Sequence, residues 1–252
     1  MKSRTFADKL RRFSPDPPAR PSFDAQDPNK RDLLGFAELV MRRQGDSSSQ
    51  LGADLWVLHE LSELQGGYFV EFGAGDGHHL SNTWLLEAHY GWTGILAEPN
   101  AMVFESLRAH RPNCRIDPRA VHREDATTRA MMVTEIKELS ALTEFAGLDM
   151  HAEARREGEL IDVETVTLDR LLDDHAAPEL INYLSIDTEG GEYEILEGFD
   201  FERRTVDLIS VEHSYLPKRE SIQALLDDRG YERRYIEHSK FDDWYLRRAR
   251  CG

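Results

Sequence analysis

Gly73, Gly75 and Gly77 punctuate the run YFVEFGAGDGHH (Tyr68–His79), and glycine at alternate positions allows backbone angles and a closeness of approach that side chains forbid. Ahead of them, Tyr68, Phe69, Val70 and Phe72 read as a strand covered on both faces, and a helical pattern opens soon after Ser81. A strand, a glycine turn and a helix in that order form a cradle for a nucleotide. Acids stand around it. Glu71 lies two positions before the first glycine, and Glu98 ends the next apolar run, Thr93–Ala97, where one carboxylate offers two acceptor oxygens to a pair of ribose hydroxyls. Further on, Ile181–Ile186 ends in Asp187-Thr188-Glu189-Gly190-Gly191-Glu192, and Val206–Val211 ends in Glu212-His213-Ser214. In a doubly wound sheet, ligands lie beyond the carboxyl ends of the strands, so both corners are expected to face the cleft of the glycine turn. His213, whose ring titrates near neutrality, is the general-base candidate, with Asp187 and Glu212 to orient it. The same three side chains, Asp187, Glu212 and His213, are alternatively a donor set for Mg2+ or another divalent cation.

The elements that position these residues alternate strand with helix from Tyr68 onward, which predicts βαβ units and a doubly wound, mostly parallel sheet. The second strand follows a helical segment Asn82–Ala88, and Pro99 opens a helix whose buried face is Met102, Val103, Phe104 and Leu107. Strands are expected at Cys114–Asp117, Met131–Thr134 and Val163–Val166. The long polar connection between the last two reads as a substrate-side loop. Thr167 caps a helix carrying Leu168, Leu171 and Leu172, and a helix over 217–229 precedes two final strands, Tyr231–Glu237 and Trp244–Arg248. Upstream, helices are expected at Asp32–Arg43 and Ala53–Leu64, separated by the GDSSSQ loop. The organisation is a basic, Pro-rich arm over residues 1–30, N-terminal helices over 31–66 and the α/β domain over 67–252.

Charge and composition narrow the function. With 31 basic against 47 acidic residues the formal charge is -16, which repels phosphate backbones and argues against a nucleic-acid substrate. No apolar run approaches the ~20 residues of a membrane helix. The two cysteines, Cys114 and Cys251, are too few for a disulfide scaffold, and no signal peptide precedes the fold, so a cytoplasmic location is the expectation.

The sixth position of the glycine turn separates two cofactors. A dinucleotide fingerprint counted from Gly73 needs glycine where His78 stands, which disfavours a nicotinamide oxidoreductase. Glu71 followed by GAGDG resembles instead the first motif of class I S-adenosylmethionine (SAM) methyltransferases, in which the strand-end carboxylate accepts from the ammonium of the cofactor's methionine part. With GWTGILAEPN, the LSALT segment and DVETVTLDRLLDDHAAPELINYLSIDTEGGEYEILEGFDF, the chain resembles the FkbM family over about residues 50–249. The resemblance implies a sheet of the class I type ending in an antiparallel strand pair. It also implies methyl transfer from SAM to an oxygen, commonly a hydroxyl on a sugar, glycan or natural-product acceptor. The SAM contacts it implies are Glu71, Gly73, Gly75 and Asp76, with Ser81 and Asn82, then Glu98 and Asn100; Gly77 completes the glycine turn. The alternative from a different class is a SAM-binding pseudoenzyme or interaction module without catalysis.

Overall fold

The computed structural model describes residues 28–134, 140–146 and 158–248. In chain order the strands are β1 (Tyr68–Phe72), β2 (Thr93–Ala97), β3 (Arg115–Asp117), β4 (Ala120–Val121), β5 (Thr128–Val133), β6 (Ala141–Leu142) and β7 (Glu159–Val166). They are followed by β8 (Leu180–Ile186), β9 (Thr205–Glu212), β10 (Tyr231–Arg234) and β11 (Asp242–Arg247). Seven of them form the main sheet in the order β10-β11-β9-β8-β1-β2-β3. β1 pairs in parallel with β2 and β8, β8 in parallel with β9, and only β11 runs against its neighbours. The expected doubly wound, mostly parallel sheet with an antiparallel C-terminal pair is what the chain adopts. A smaller sheet, β4-β7-β5-β6, is built from the segment between β3 and the helix after β7, and it pairs antiparallel except at β4.

Helices α1 (Pro28–Arg43), α2 (Ala53–Glu60), α3 (Trp84–Tyr90) and α4 (Phe104–His110) cover one face of the main sheet. On that face Phe69, Leu96, Tyr183, Leu208 and Trp244 meet Phe36, Trp56, Leu58, Leu85 and Leu107. α5 (Leu168–Asp174), α6 (Glu192–Gly198) and α7 (Lys218–Asp228) cover the other face through Leu171, Leu172, Ile195, Leu196, Ile222 and Leu226. Toward the carboxyl ends of the central strands, residues alternate between the two cores with period two. α2 is apolar nearly all round, and Ala53 through Leu58 are all buried, as expected for a helix within the core. Its Trp56 stacks on Trp244 with ring centroids 5.2 Å apart.

Several boundaries differ from the sequence expectation, each for a local reason. α2 stops at Glu60, short of Leu64, because Ser62 and Glu63 adopt positive φ in the turn toward β1. The first strand of the terminal pair ends at Arg234 because Tyr235 has φ 48°. Pro99 is followed by a single 3₁₀ turn, Ala101–Val103, whose Met102 N–H donates to the Asn100 side chain, and only then by α4. Of the basic arm, residues 1–27 lie outside the described residues, as do 135–139, 147–157 and Cys251.

A fully buried arginine ties the glycine turn to the first core. Arg111 Nε donates to Glu87 at 2.6 Å, its Nη1 to the Gly77 carbonyl and Ser81 Oγ, and its Nη2 to Thr83 Oγ1, with Glu71 3.5 Å away. Such an arginine cannot shed its charge, so its partners must remain. Burial pushes the Glu87 carboxyl up, but the Cys114 thiol and Arg111 outweigh it and hold the group below its ordinary value. Burial raises the Cys114 thiol, and Glu87 adds to the rise. Arg111→Met is expected to destabilise the protein by about 3–5 kcal/mol, because it strands buried carboxylates. Urea denaturation would show this as a lower midpoint at unchanged slope; a shift under about 1 kcal/mol would contradict this role for the network.

Candidate active site

The parallel register aligns the carboxyl ends of the central strands. Phe72 sits opposite Ala97, Ile186 opposite Val211, and Asp242 opposite Glu212. One residue beyond those ends lie Gly73, Glu98 and Asp187, with Glu212 and Asp242 completing the same row along the sheet edge. All five line one cavity of about 400 Å³. Gly73 belongs here by contact as well as by position. It has φ 67°, and a Cβ on it would lie 2.3 Å from the Asp187 carbonyl oxygen, so only glycine lets the turn approach β8. Gly75, at φ 53°, has no atom within 4 Å of where its Cβ would be, so a side chain there would project into open space. The turn therefore has the shape of a cradle that a larger residue would fill.

Glu98 holds that turn. Its Oε2 accepts from the Gly75 N–H at 2.9 Å and its Oε1 from the Asn100 N–H at 2.7 Å, while the carboxylate lines the cavity at the tip of β2. Ser81 and Asn82 line the same wall. Asn82 Nδ2 donates to Ser185 Oγ, and Ser49 Oγ donates to Asn82 Oδ1. Through this contact the loop between α1 and α2 reaches the mouth, where it contributes Gln50. The opposite wall is apolar and comes from the small sheet: Ala120, Val121, Met131, Ala141, Leu142 and Phe145. Phe145 follows β6 and packs on the Gly190-Gly191 loop, where a Cβ on Gly190 would lie 2.8 Å from the Phe145 Cβ.

The acid corner is dense. Asp187, Glu189 and Glu212 present carboxylate oxygens that all lie within 4.8 Å of one another, and Asp242 adjoins them. Burial first, then the charges of Glu212 and Glu189 and a hydrogen bond with Glu212, push Asp187 well above the ordinary carboxylate range. Burial first, then Glu212, push Asp242 up to about 8. At neutral pH the corner therefore keeps protons that isolated carboxylates would release.

Not every expected site residue reaches the cavity. Glu71 does not line it: its carboxylate accepts from Ser81 Oγ, the Asn82 N–H and Thr83 Oγ1 beside Arg111, so it fixes the 81–83 turn. Asp76 accepts from the His78 and His79 N–H groups. Gly77 is needed for packing, since its Cβ would lie 2.6 Å from Leu107 Cδ1. Asn100 caps the 3₁₀ turn. His213 is the main correction. Strand alternation places it on the face opposite Glu212, where its Nδ1 accepts from the Tyr215 N–H and its Nε2 lies 3.8 Å from Asp243. Burial lowers its pKa, outweighing the opposing charge of Asp243. Neither the base role nor the cation set that included His213 fits this geometry. Glu189 takes its place in the cluster, and Asp242 joins the row through an antiparallel register that the local sequence does not display.

A mostly parallel sheet with a glycine cradle after its first strand, an acid at the tip of its second and an antiparallel strand inserted before the last defines a class I SAM-dependent methyltransferase. More narrowly, the chain belongs to the methyltransferase FkbM domain family, whose profile matches residues 71–247. Among solved structures it is similar to a TehB-like SAM-dependent methyltransferase from Corynebacterium glutamicum, at 8% identity over 88% of this chain and 100% of that one, with a TM-score of 0.41. It is also similar to a methyltransferase from Geobacter sulfurreducens, at 13% identity over 96% and 95% of the two chains, TM-score 0.43. A human methyltransferase 10 domain containing protein matches at 11% identity over 85% and 96%, TM-score 0.41. No curated protein sequence matches. Family membership implies SAM as the cofactor and removes the nicotinamide alternative. Among the described residues no helix is long and apolar enough to cross a membrane.

Two outcomes test this geometry. Gly75→Ala should weaken SAM binding at least tenfold by calorimetry and cost stability only about 1 kcal/mol, since its Cβ enters the cradle and meets no protein atom. Unchanged affinity would remove the turn from the cofactor site. The second is a pH effect. A carboxyl raised from 3.8 to about 8 on folding stabilises the protein fully below its unfolded pKa, and that contribution is lost as pH rises toward 8. Asp242→Asn should therefore gain on the wild type between pH 4 and pH 8, by at least about 1 kcal/mol in unfolding free energy at the upper end. A difference independent of pH would contradict the raised pKa.

Proposed function

We propose that the chain methylates a hydroxyl on a polar acceptor such as a sugar, glycan or natural product, and that the Asp187–Glu212 pair receives the hydroxyl proton. The observation that carries this reading is that Asp187 lies against Gly73 of the cradle with Glu212 grouped beside it, both lining the same cavity. SAM, when bound, supplies an electrophilic methyl on a sulfonium. Gly73, Gly75, Ser81, Asn82 and Glu98 are the residues that would hold it.

An alcohol is a poor nucleophile until its proton leaves. Asp187, raised by burial and then by the charges of Glu212 and Glu189, keeps its proton, and the neighbouring Glu212 carboxylate accepts one from the incoming hydroxyl. Leu142 and Phe145 shield that oxygen from water, which strengthens the hydrogen bond that prepares it. With SAM bound, methyl transfer to that oxygen would break the carbon–sulfur bond, and the carboxyl pair would keep the proton.

A second reading is favoured by the close grouping of Asp187, Glu189 and Glu212, whose oxygens are spaced to hold a divalent cation that would bind the hydroxyl directly. Glu212→Gln should lower turnover by roughly 100-fold or more with SAM affinity nearly unchanged. His213→Gln should keep turnover within about threefold in the folded protein, its ring being on the other face. Activity that survives EDTA supports the carboxyl base. Activity abolished by EDTA and restored by Mg2+ transfers the role to the cation, and full turnover by Glu212→Gln would remove this corner from the mechanism.

A further inference from the structure

Three consecutive serines after α1 bind the wall of the cavity, although their loop precedes the 71–247 match to the family profile. Ser47 Oγ lies 2.7 and 2.8 Å from the two carboxylate oxygens of Asp54, a buried residue of α2. Ser48 Oγ donates to the Ser81 carbonyl at 3.2 Å. Ser49 pairs with Leu80 in an isolated parallel bridge, accepts from the Ala53 N–H at 2.9 Å and donates to Asn82 Oδ1 at 2.6 Å. Leu80 has φ 59°, an unfavourable backbone for a residue with a side chain, and it lines the cavity beside Ser81 and Asn82. Strain of this kind persists only where the surroundings over-determine it, and the Ser49 bridge is one of the contacts that hold it.

Asn82 is fixed from three directions. Its backbone N–H donates to Glu71, its Oδ1 accepts from Ser49, and its Nδ2 donates to the buried Ser185 Oγ at 3.0 Å. An amide side chain has two N–H groups and two lone pairs, so one of each is left for a ligand in the cavity that Asn82 lines. Ser185 belongs to β8, so this amide stands on the β8 side of the glycine turn, whereas Glu98 stands at the tip of β2 on the other.

We propose that Ser49 is a positioning residue for the cofactor: it holds the Asn82 amide in the orientation that receives the amino-acid end of SAM. This rests on the cavity being the SAM site. A donor and an acceptor on one rigid amide suit a carboxylate next to an ammonium, and the nucleoside end then lies toward Glu98. Because Ser49 has one proton and gives it to Asn82 Oδ1, the amide cannot turn over without losing that bond and the one to Ser185 in its present sense. The loop thereby couples α1 and α2 to cofactor binding.

The test is calorimetric titration of the full chain with S-adenosylhomocysteine and with methylthioadenosine, which lacks the amino-acid end. Ser49→Ala should weaken S-adenosylhomocysteine binding about fivefold or more and leave methylthioadenosine within about twofold. Ser49→Thr, which keeps the hydroxyl, should bind both as the wild type does. The double variant Ser49→Ala, Asn82→Ala should bind S-adenosylhomocysteine no more weakly than Asn82→Ala alone. Should Ser49→Ala not fold, Ser49→Cys, close in size with a far weaker donor, takes its place. Unchanged S-adenosylhomocysteine affinity, equal weakening of both ligands, or additive losses in the double variant would overturn the proposal. Gly75→Ala separates it from the reading it rests on. Weakened binding by Gly75→Ala with none by Ser49→Ala keeps the cofactor site and removes the role of Ser49, and no effect of either removes both.

Discussion

The architecture depends on one buried charge. Arg111 leaves the end of α4 and runs under the glycine turn, where it meets Glu87 from α3, Ser81 and Thr83 from the turn, and Glu71 from β1. Desolvating a guanidinium is costly, and the cost is offset only when most of its donors are satisfied with good geometry. That requirement brings α3, α4, β1 and the loop after it to fixed positions. The cradle is thus shaped from below by an ion network and left open above. Glycine at 77 is part of the same arrangement, because the Arg111 stem occupies the space a side chain would need.

From that base, register does the rest. Parallel pairing of β2, β1, β8 and β9 advances each strand to the same edge, and alternation directs every second side chain to the α1–α4 side. Four carboxylates and a glycine end up in one row. None of those acids is next to another acid of the row in sequence. Burial raises Asp187 and Asp242 first, and the charge of Glu212, brought close only by the tertiary fold, adds to the rise.

Much of this was legible in the chain. The glycine spacing located the cradle, the acid after TGILA marked a carboxylate on the cavity wall, and the apolar runs at 181–186 and 206–211 led to the acid corner. What escaped was information held across strands or by parity. Glu212 and His213 are adjacent, yet a strand can direct only one of them into the cleft, and choosing between them requires knowing which face Val211 covers. Asp242 enters through antiparallel pairing with Glu212, a relation invisible in FDDWYL. Glu71 stands two positions before the first glycine, yet it does not line the cavity. Its actual partners, Thr83 and Arg111, are supplied by a loop and by a helix forty residues away.

Phe145 helps join the small sheet to the main one at the cavity's apolar wall by resting on Gly190 and Gly191, where a ring meets bare backbone. Such a seat is defined by shape more than by chemistry, and it leaves the remainder of that sheet's inner surface uncommitted to the cradle. Substitutions in β5 and β6 can thus reshape the roof without touching the residues of the floor. Modularity of this sort lets one inherited chemistry be offered to many clients.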